Sequence, residues 1–179
     1  MKFITLSILT ATTIMAGNFT LESNDIEGQL TKVQEFNGFG CSGENKSPEL
    51  HWKNAPKETK SFAITVYDPD APTGSGWWHW MIVNIPAKTS TINTNASAQK
   101  SLPKGAVETM TDYGSASFGG ACPPEGDKAH RYMFTIYALD TEKLDVNAKS
   151  DSALVGYMIH SHSIEKASIV SYYGRRKKK

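Results

Sequence analysis

The chain has 179 residues, a length typical of one compact domain. Hydrophobic residues make up 39% of it and charged residues 21%, which excludes a disordered or fibrous protein. The 19 Lys and Arg residues nearly balance the 18 Asp and Glu residues, giving a net charge of +1, and the only basic run lies at residues 175–179. This disfavours a nucleic-acid-binding protein, which normally has a basic stripe.

The N-terminal segment, residues 1–17, has the layout of a secretory signal peptide. Lys2 is followed by an uncharged stretch and then by the small residues Ala16 and Gly17. The stretch is shorter than the roughly 20 residues that a membrane-spanning helix needs. We expect cleavage near Ala16 or Gly17, a periplasmic or secreted protein, and no integral membrane segment after cleavage. The alternative is a first strand of the fold.

The rest of the chain alternates short β-type runs with turn-rich segments, which predicts one β-rich α+β domain over residues 18–174. Strands are predicted within residues 19–23, 31–36, 61–68, 79–85, 130–139 and 166–173. One helix is predicted over residues 153–164, with Asp151 or Ser152 as its cap. Parallel strands are usually connected by helices, and one helix cannot connect several such strands. The sheet should therefore be mostly antiparallel.

Two histidines stand at the first positions of predicted strands. Side chains alternate along a strand, which places His79 on the face of Met81 and Val83, and His130 on the face of Tyr132. One such histidine is more often a hydrogen-bonded core residue than a functional one. Two of them, each directly after a loop rich in Gly and Pro, favour a site at the mouth of the sheet.

The motif "DPDAP" supplies two acids, Asp68 and Asp70. Pro69 and Pro72 disfavour helix and favour extended backbone, in which residues two apart point the same way. The two carboxylates are therefore predicted to converge. The alternative is an ordinary turn, since Asp and Pro are both common turn residues.

Cys41 and Cys122 form a candidate disulfide if the chain is exported, and otherwise two separate buried thiols. Neither cysteine has a second cysteine or a histidine at the spacing of a zinc site, and His160 and His162 are a lone pair, so no metal site is expected. The basic run at residues 175–179 is predicted to be a solvated tail.

Several of these segments together resemble a known family. "DPDAP" followed by "GWWHW", and then "GGACPPEGDKAHRY", resemble the paired signatures of the phosphatidylethanolamine-binding proteins (PEBPs), also called Raf kinase inhibitor-like proteins. "FGCSGENKSPELHW" and "SALVGYMIHSHSI" resemble its bacterial YbhB/YbcL-type branch. The likeness runs from about residue 18 to about residue 172. It implies a large antiparallel sheet packed on a smaller one, with a few peripheral helices.

The resemblance also implies a small pocket for phosphate or a phosphorylated headgroup. Its residues carry over to Asp70, Pro72, His79, Gly120, Pro123, His130 and Tyr132, with Asp68, Trp78 and Trp80 in support. Within this pocket we expect Asp70 to hold the far N–H of a histidine, and the aromatic side chains to form walls of low dielectric. A disulfide between Cys41 and Cys122 would tie the rim together.

The sequence thus favours a binding module without a cofactor. It would capture a small anionic ligand, or an acidic group of a protein partner, and could inhibit that partner as the family's kinase- and protease-inhibitor members do. The alternative is a small hydrolase that uses His, Asp and Tyr for acid–base chemistry in the same pocket. With no nucleophile or metal evident, we expect no enzymatic activity.

Overall fold

The computed structural model of the chain describes residues 18–177, so the predicted signal peptide lies outside the described residues and stays a prediction. The described part contains eight strands and one helix: β1 (Thr20–Glu22), β2 (Leu50–Lys53), β3 (Ser61–Asp68), β4 (Trp77–Pro86), β5 (Thr91–Ile92), β6 (Val107–Glu108), β7 (His130–Leu139), α1 (Ser152–His162) and β8 (Ser163–Tyr173).

The strands form two antiparallel sheets. The large sheet has the order β6-β4-β3-β7-β8, and the small sheet has the order β1-β2-β5. The predicted β-rich fold class is confirmed, although the described residues contain one α-helix where a few were expected. In the described part of the chain, no helix is long and apolar enough to cross a membrane.

The main core lies between the two sheets, on what we call the inner face of the large sheet. Phe62, Ile64 and Val66 alternate along β3 and pack there with Trp52 of the small sheet. Burying each side chain of this kind contributes roughly 1.5–3 kcal/mol. A second core lies on the outer face, where α1 covers residues such as Met81.

Strand β4 carries a bulge next to its start. Tyr67 of β3 pairs with Trp78, but Val66 pairs with Trp80, which leaves His79 as an extra residue without a partner on β3. The bulge resets the alternation, because one extra residue moves the following side chains to the other face.

His79 consequently lies on the inner face, where its ring contacts that of Tyr132. The prediction that it shares a face with Met81 and Val83 is wrong, since both belong to the outer core. A second bulge in β4 carries Ile85 to the inner face as well.

Other elements differ from the prediction in smaller ways. The strand predicted at residues 31–36 is a turn, in which the N–H of Glu35 donates to the carbonyl of Thr31 at 3.0 Å. The short strands β2, β5 and β6 were not predicted. Helix α1 begins and ends within two residues of its predicted bounds, and β8 follows it without a loop.

The first residue of the predicted basic tail is held in place. The Arg175 side chain donates to the carbonyl of Gly40 at 2.8 Å, to the carbonyl of Pro123 at 3.3 Å and to the carboxylate of Glu125 at 2.8 Å. The prediction of a solvated tail is therefore wrong for Arg175. The extended chain beyond β8 carries this residue against the loop that holds Cys122.

Candidate functional site

The candidate site lies on the inner face, where β3 ends and its two neighbours in the large sheet begin. Asp68 is the last residue of β3, His130 is the first residue of β7, and His79 is the third residue of β4. Because β3 is antiparallel to both neighbours, these three positions meet at one end of the sheet. All three side chains are buried.

The backbone fixes the orientation of His79. Its Nδ1 lies 2.8 Å from the carbonyl oxygen of Gly119 and 3.2 Å from that of Gly120. A carbonyl only accepts, so Nδ1 carries a proton and the neutral ring presents Nε2 as an acceptor. Burial lowers the pKa of His79, although these two carbonyls and the charge of Asp68 act in the opposite direction.

Gly120 can reach His79 because it has no side chain. A Cβ at this position would lie 2.1 Å from the carbonyl oxygen of Gln34 and 2.7 Å from the backbone nitrogen of Phe36. The chain at Gly120 is held against this neighbouring segment, since the N–H of Ala121 donates to the same carbonyl of Gln34.

Asp68 and His130 form a buried pair. The carboxylate Oδ2 of Asp68 lies 2.7 Å from Nδ1 of His130, and both side chains are 3% exposed or less. Since a carboxylate accepts, Nδ1 of His130 carries a proton and Nε2 points away from Asp68, to a position 3.6 Å from the half-exposed carboxylate of Asp127. Asp68 thereby orients the ring of His130.

The role expected of Asp70 belongs to Asp68. The carboxylate of Asp70 instead accepts from Nε and from the terminal NH2 nitrogen of Arg131, each at 2.8 Å, and from the Arg131 backbone N–H at 2.9 Å. The side-chain hydrogen bonds from Arg131 hold the pKa of Asp70 well below its usual range.

The two acids of "DPDAP" do not converge, because the chain turns directly after Asp68. The backbone N–H of Asp70 donates to Oδ1 of Asp68 at 2.8 Å, which closes a turn of the Asx type. Residues two apart therefore point in different directions here. The alternative interpretation, an ordinary turn, describes the backbone at Asp70. It does not explain the buried contact between Asp68 and His130.

Two tyrosine rings contact His79, and a tryptophan packs behind one of them. The rings of Tyr132 and Tyr113 lie 5.1 Å and 5.5 Å from its ring, and Trp77 packs edge-on against Tyr113 at 5.4 Å. The hydroxyl of Tyr113 donates to the carbonyl of Gly120 at 2.7 Å. Burial, together with the charge of Asp68, raises the pKa of both tyrosines, so both keep their protons at neutral pH.

Three buried polar atoms of this group have no hydrogen-bond partner among residues 18–177: Nε2 of His79, the hydroxyl of Tyr132 and Nε1 of Trp77. Buried polar atoms nearly always form a hydrogen bond, since a buried donor or acceptor without a partner costs about 1–3 kcal/mol. We refer to Asp68, His79, Tyr113, His130 and Tyr132 as the polar cluster. It offers unused hydrogen-bonding capacity to a ligand, whereas the described range contains no cluster of three or more His, Cys, Asp or Glu side chains that could hold a metal ion.

Besides Asp70, four predicted residues lie apart from the polar cluster. Trp78 packs on the outer face, where its ring lies 4.5 Å from the tilted ring of Tyr67. Trp80 lies in the core between the sheets, with its Nε1 donating to Glu108. Pro72 is exposed in the turn after Asp70, and Pro123 is buried next to the disulfide.

Tyr113 and Trp77 were missed by the sequence reasoning. Tyr113 lies in a loop without periodicity, and its only signal was an aromatic residue within a Gly-rich segment. Trp77 lies within the motif "GWWHW". The bulge at His79 changes the alternation there, so the sequence does not show which tryptophan faces the site.

A disulfide stands at the edge of the site. It joins Cys41 to Cys122 with their Cα atoms 5.9 Å apart. Phe39, two residues before Cys41, is 73% exposed and has a positive φ of 54°, a conformation that side chains other than Gly seldom adopt. Its ring lies 5.6 Å from that of Tyr113, so an exposed aromatic side chain borders the polar cluster.

Comparison with known proteins agrees with this fold. The family model described as phosphatidylethanolamine-binding protein matches residues 24–174. The chain is 52% identical to the Escherichia coli protein YbcL over 88% of each chain, and 46% identical to E. coli YbhB over 86% of this chain and 98% of that one. The crystal structure of E. coli YbcL, described as a new member of the mammalian PEBP family, superposes with a TM-score of 0.87 at 51% identity, covering 89% of this chain and all of the other. The chain therefore belongs to the phosphatidylethanolamine-binding protein family, in the branch that includes YbcL and YbhB.

Proposed function

We propose that the protein binds a small anion of the phosphate type, free or within a phosphorylated headgroup, at the polar cluster. The observation that carries this proposal is the pair of unpartnered atoms, Nε2 of His79 and the hydroxyl of Tyr132, on buried rings 5.1 Å apart. The name of the family, which refers to a phospholipid, gives further support.

The chemistry of the two atoms defines how the anion would be held. The hydroxyl of Tyr132 can donate directly, because burial keeps this group protonated. Nε2 of His79 can donate only after the ring takes up a second proton, since the carbonyl of Gly119 already holds the proton on Nδ1. Anion binding is therefore coupled to protonation of His79.

A sulfate titration tests this coupling, because the charge of sulfate does not change over the range of about pH 5 to 8 in which histidines titrate. Since burial lowers the pKa of the free His79, calorimetry should show the affinity rising as the pH falls, by at most about tenfold per pH unit for one proton. His79→Gln should remove this rise. His162→Gln, a change at a half-exposed histidine paired with Asp140, is the matched control and should keep it.

An affinity that is the same at every pH, or a His79→Gln protein that binds as tightly as the wild type, would contradict the proposal. Comparing sulfate and phosphate with phosphoethanolamine separates a site for the free anion from one for a headgroup. A headgroup site predicts that phosphoethanolamine binds more tightly than phosphate at the same pH.

We also propose that the protein works outside the cytoplasm and acts by binding. A disulfide persists in an oxidising compartment, which supports export, and the cysteines it occupies are not thiol nucleophiles. Mass spectrometry of the native protein should find cleavage near Ala16 or Gly17, and a retained Met1 would contradict export. Turnover of phosphoester substrates by the purified protein would contradict a role in binding alone.

The exposed ring of Phe39 extends this proposal to a protein partner. It stands at the edge of the polar cluster, so a partner that places an acidic or phosphorylated side chain in the cluster would also cover this ring. Inhibition of the partner would follow from that contact. Capture experiments should therefore lose the same partner with His79→Gln and with Phe39→Ser, while inorganic phosphate should compete with it.

A further inference from the structure

A cavity of about 320 Å³ lies between α1 and the outer face of the large sheet. Trp78 and Tyr137 line it from the sheet, and Gly156 and Ile159 line it from the helix. Its lining also includes His160 and Lys166. We call it the helix cavity. It is separated from the polar cluster by the sheet, because His79 faces inward and Trp78 faces outward.

The charges around the helix cavity favour an anion. Its lining contains Lys166 and His160 but no Asp or Glu. Neither side chain forms an ion pair with any residue in the range 18–177. Lys166 pairs with Tyr137 across β7 and β8, so the two side chains share the outer face.

The nearby carboxylates already have partners. Asp112 accepts from the backbone N–H of Trp78 at 2.7 Å and from the hydroxyl of Ser152 at 3.2 Å. Asp140 pairs with His162 at 2.8 Å. The ammonium group of Lys166 is therefore available to a ligand.

The walls favour a flat ring. Trp78 and Tyr137 present aromatic surfaces, and Gly156 leaves open space on the helix, since a Cβ there would meet nothing within 4 Å. A volume of this size matches the lower end of small-molecule sites, which are mostly apolar with a few polar groups. We propose that the helix cavity binds a small aromatic anion, with its ring between Trp78 and Tyr137 and its charge at Lys166.

Fluorescence of 1-anilinonaphthalene-8-sulfonate tests the proposal on the full chain. The anion should bind saturably, one per chain, while the neutral N-phenyl-1-naphthylamine should bind more weakly. Lys166→Met should weaken sulfonate binding by about fivefold, the effect of one partly exposed charge. Lys104→Met, a change at an exposed lysine elsewhere, is the matched control and should bind like the wild type.

Gly156→Leu gives the second readout, because its side chain would fill the open space. It should abolish binding while the helix stays folded, since Leu forms helix more readily than Gly. His79→Gln should bind the sulfonate normally, which separates this cavity from the polar cluster. Binding that survives both Gly156→Leu and Lys166→Met, or that is lost with His79→Gln, would overturn the proposal.

Discussion

Two neighbouring regions of the molecule differ in whether their buried polar groups have hydrogen-bond partners. The first, which we call the rim joint, consists of Glu35, Tyr173, Arg175 and the disulfide. Glu35 is 1% exposed, yet its carboxylate accepts from Lys32 at 2.6 and 2.8 Å, from the N–H of Ser42 at 2.9 Å and from the hydroxyl of Tyr173. Burial works to raise the pKa of Glu35, but these hydrogen bonds outweigh it and lower the pKa.

The polar cluster is the second region, and it leaves Nε2 of His79 and the hydroxyl of Tyr132 without partners. Both regions are buried, so burial alone does not distinguish a structural group from a ligand-binding one. What distinguishes them is whether the protein itself supplies every hydrogen bond. Changes in the rim joint should therefore cost stability, and changes in the polar cluster should alter ligand binding and its pH dependence.

The largest effect is expected at the disulfide. Replacing Cys41 and Cys122 together by Ser frees two segments that are 81 residues apart, which should lower the free energy of unfolding by about 2–5 kcal/mol. Urea denaturation of the double variant beside oxidised and reduced wild type measures this. The reduced wild type should resemble the double variant. A loss much smaller than 1 kcal/mol would show that the rim joint is held by its hydrogen bonds instead.

Glu35→Gln should have the next largest effect, about 2–3 kcal/mol, because it weakens the charge-assisted bonds from Tyr173 and Ser42 inside the protein. The free energy of unfolding from urea denaturation is the readout. Glu44→Gln is the matched control, since Glu44 pairs with Lys46 at the surface, and it should stay within about 0.5 kcal/mol. Equal losses for the two variants would contradict the special position of Glu35.

The wild-type carboxylate of Glu35 also has a predictable pH dependence. Its folded pKa is lowered, so its contribution is present above the unfolded pKa and is lost as the pH falls through the folded pKa. The difference between wild type and Glu35→Gln should therefore shrink in acid.

Asp68→Asn and Asp70→Asn compare an acid paired with a buried histidine and an acid paired with an exposed arginine in one motif. Asp68→Asn should cost about 1–3 kcal/mol and weaken sulfate binding. Asp68 uses both carboxylate oxygens as acceptors, one for His130 and one for the N–H of Asp70, whereas Asn has one acceptor oxygen and no charge. Asp70→Asn should cost about 1 kcal/mol or less, because its partner Arg131 is 49% exposed. Urea denaturation and sulfate calorimetry of both variants decide the assignment. Weaker sulfate binding with Asp70→Asn alone would restore the original hypothesis for Asp70.

The sequence was a good guide wherever a long pattern repeated. The strands at residues 61–68 and 130–139 were predicted with their observed bounds, since eight or more residues of alternation leave little room for error. The orientation of the site residues was harder to predict. A bulge adds one residue without any change in composition, so the period of two assigned His79 to the wrong face.

The roles of Asp68 and Asp70 depended on contacts that are distant in sequence. Arg131 lies 61 residues from Asp70, and it is alternation along β7 that places Arg131 on the opposite face from His130. A local reading of "DPDAP" contains neither fact. The same holds for Arg175, whose partners Gly40 and Pro123 come from two separate loops.

The smallest effect on stability is expected at His79, and it should appear only in acid. Burial lowers the pKa of this imidazole in the folded state, so the unfolded chain, with a pKa near ~6.5, binds the proton more readily. The wild type should therefore lose stability relative to His79→Gln as the pH falls below about 6.5, by at most about 1.4 kcal/mol per pH unit for one proton.

Sulfate should reverse this trend, because it binds the protonated ring and so adds more stability to the wild type as the pH falls. Thermal unfolding of wild type, His79→Gln and the control His162→Gln, each with and without sulfate across the pH range, measures both effects. Parallel pH profiles for all three proteins without sulfate would mean that His79 has the same pKa in the folded and unfolded states. Equal stabilisation of wild type and His79→Gln by sulfate would mean that the anion binds elsewhere, and that the unpartnered Nε2 in the polar cluster serves the fold rather than a ligand.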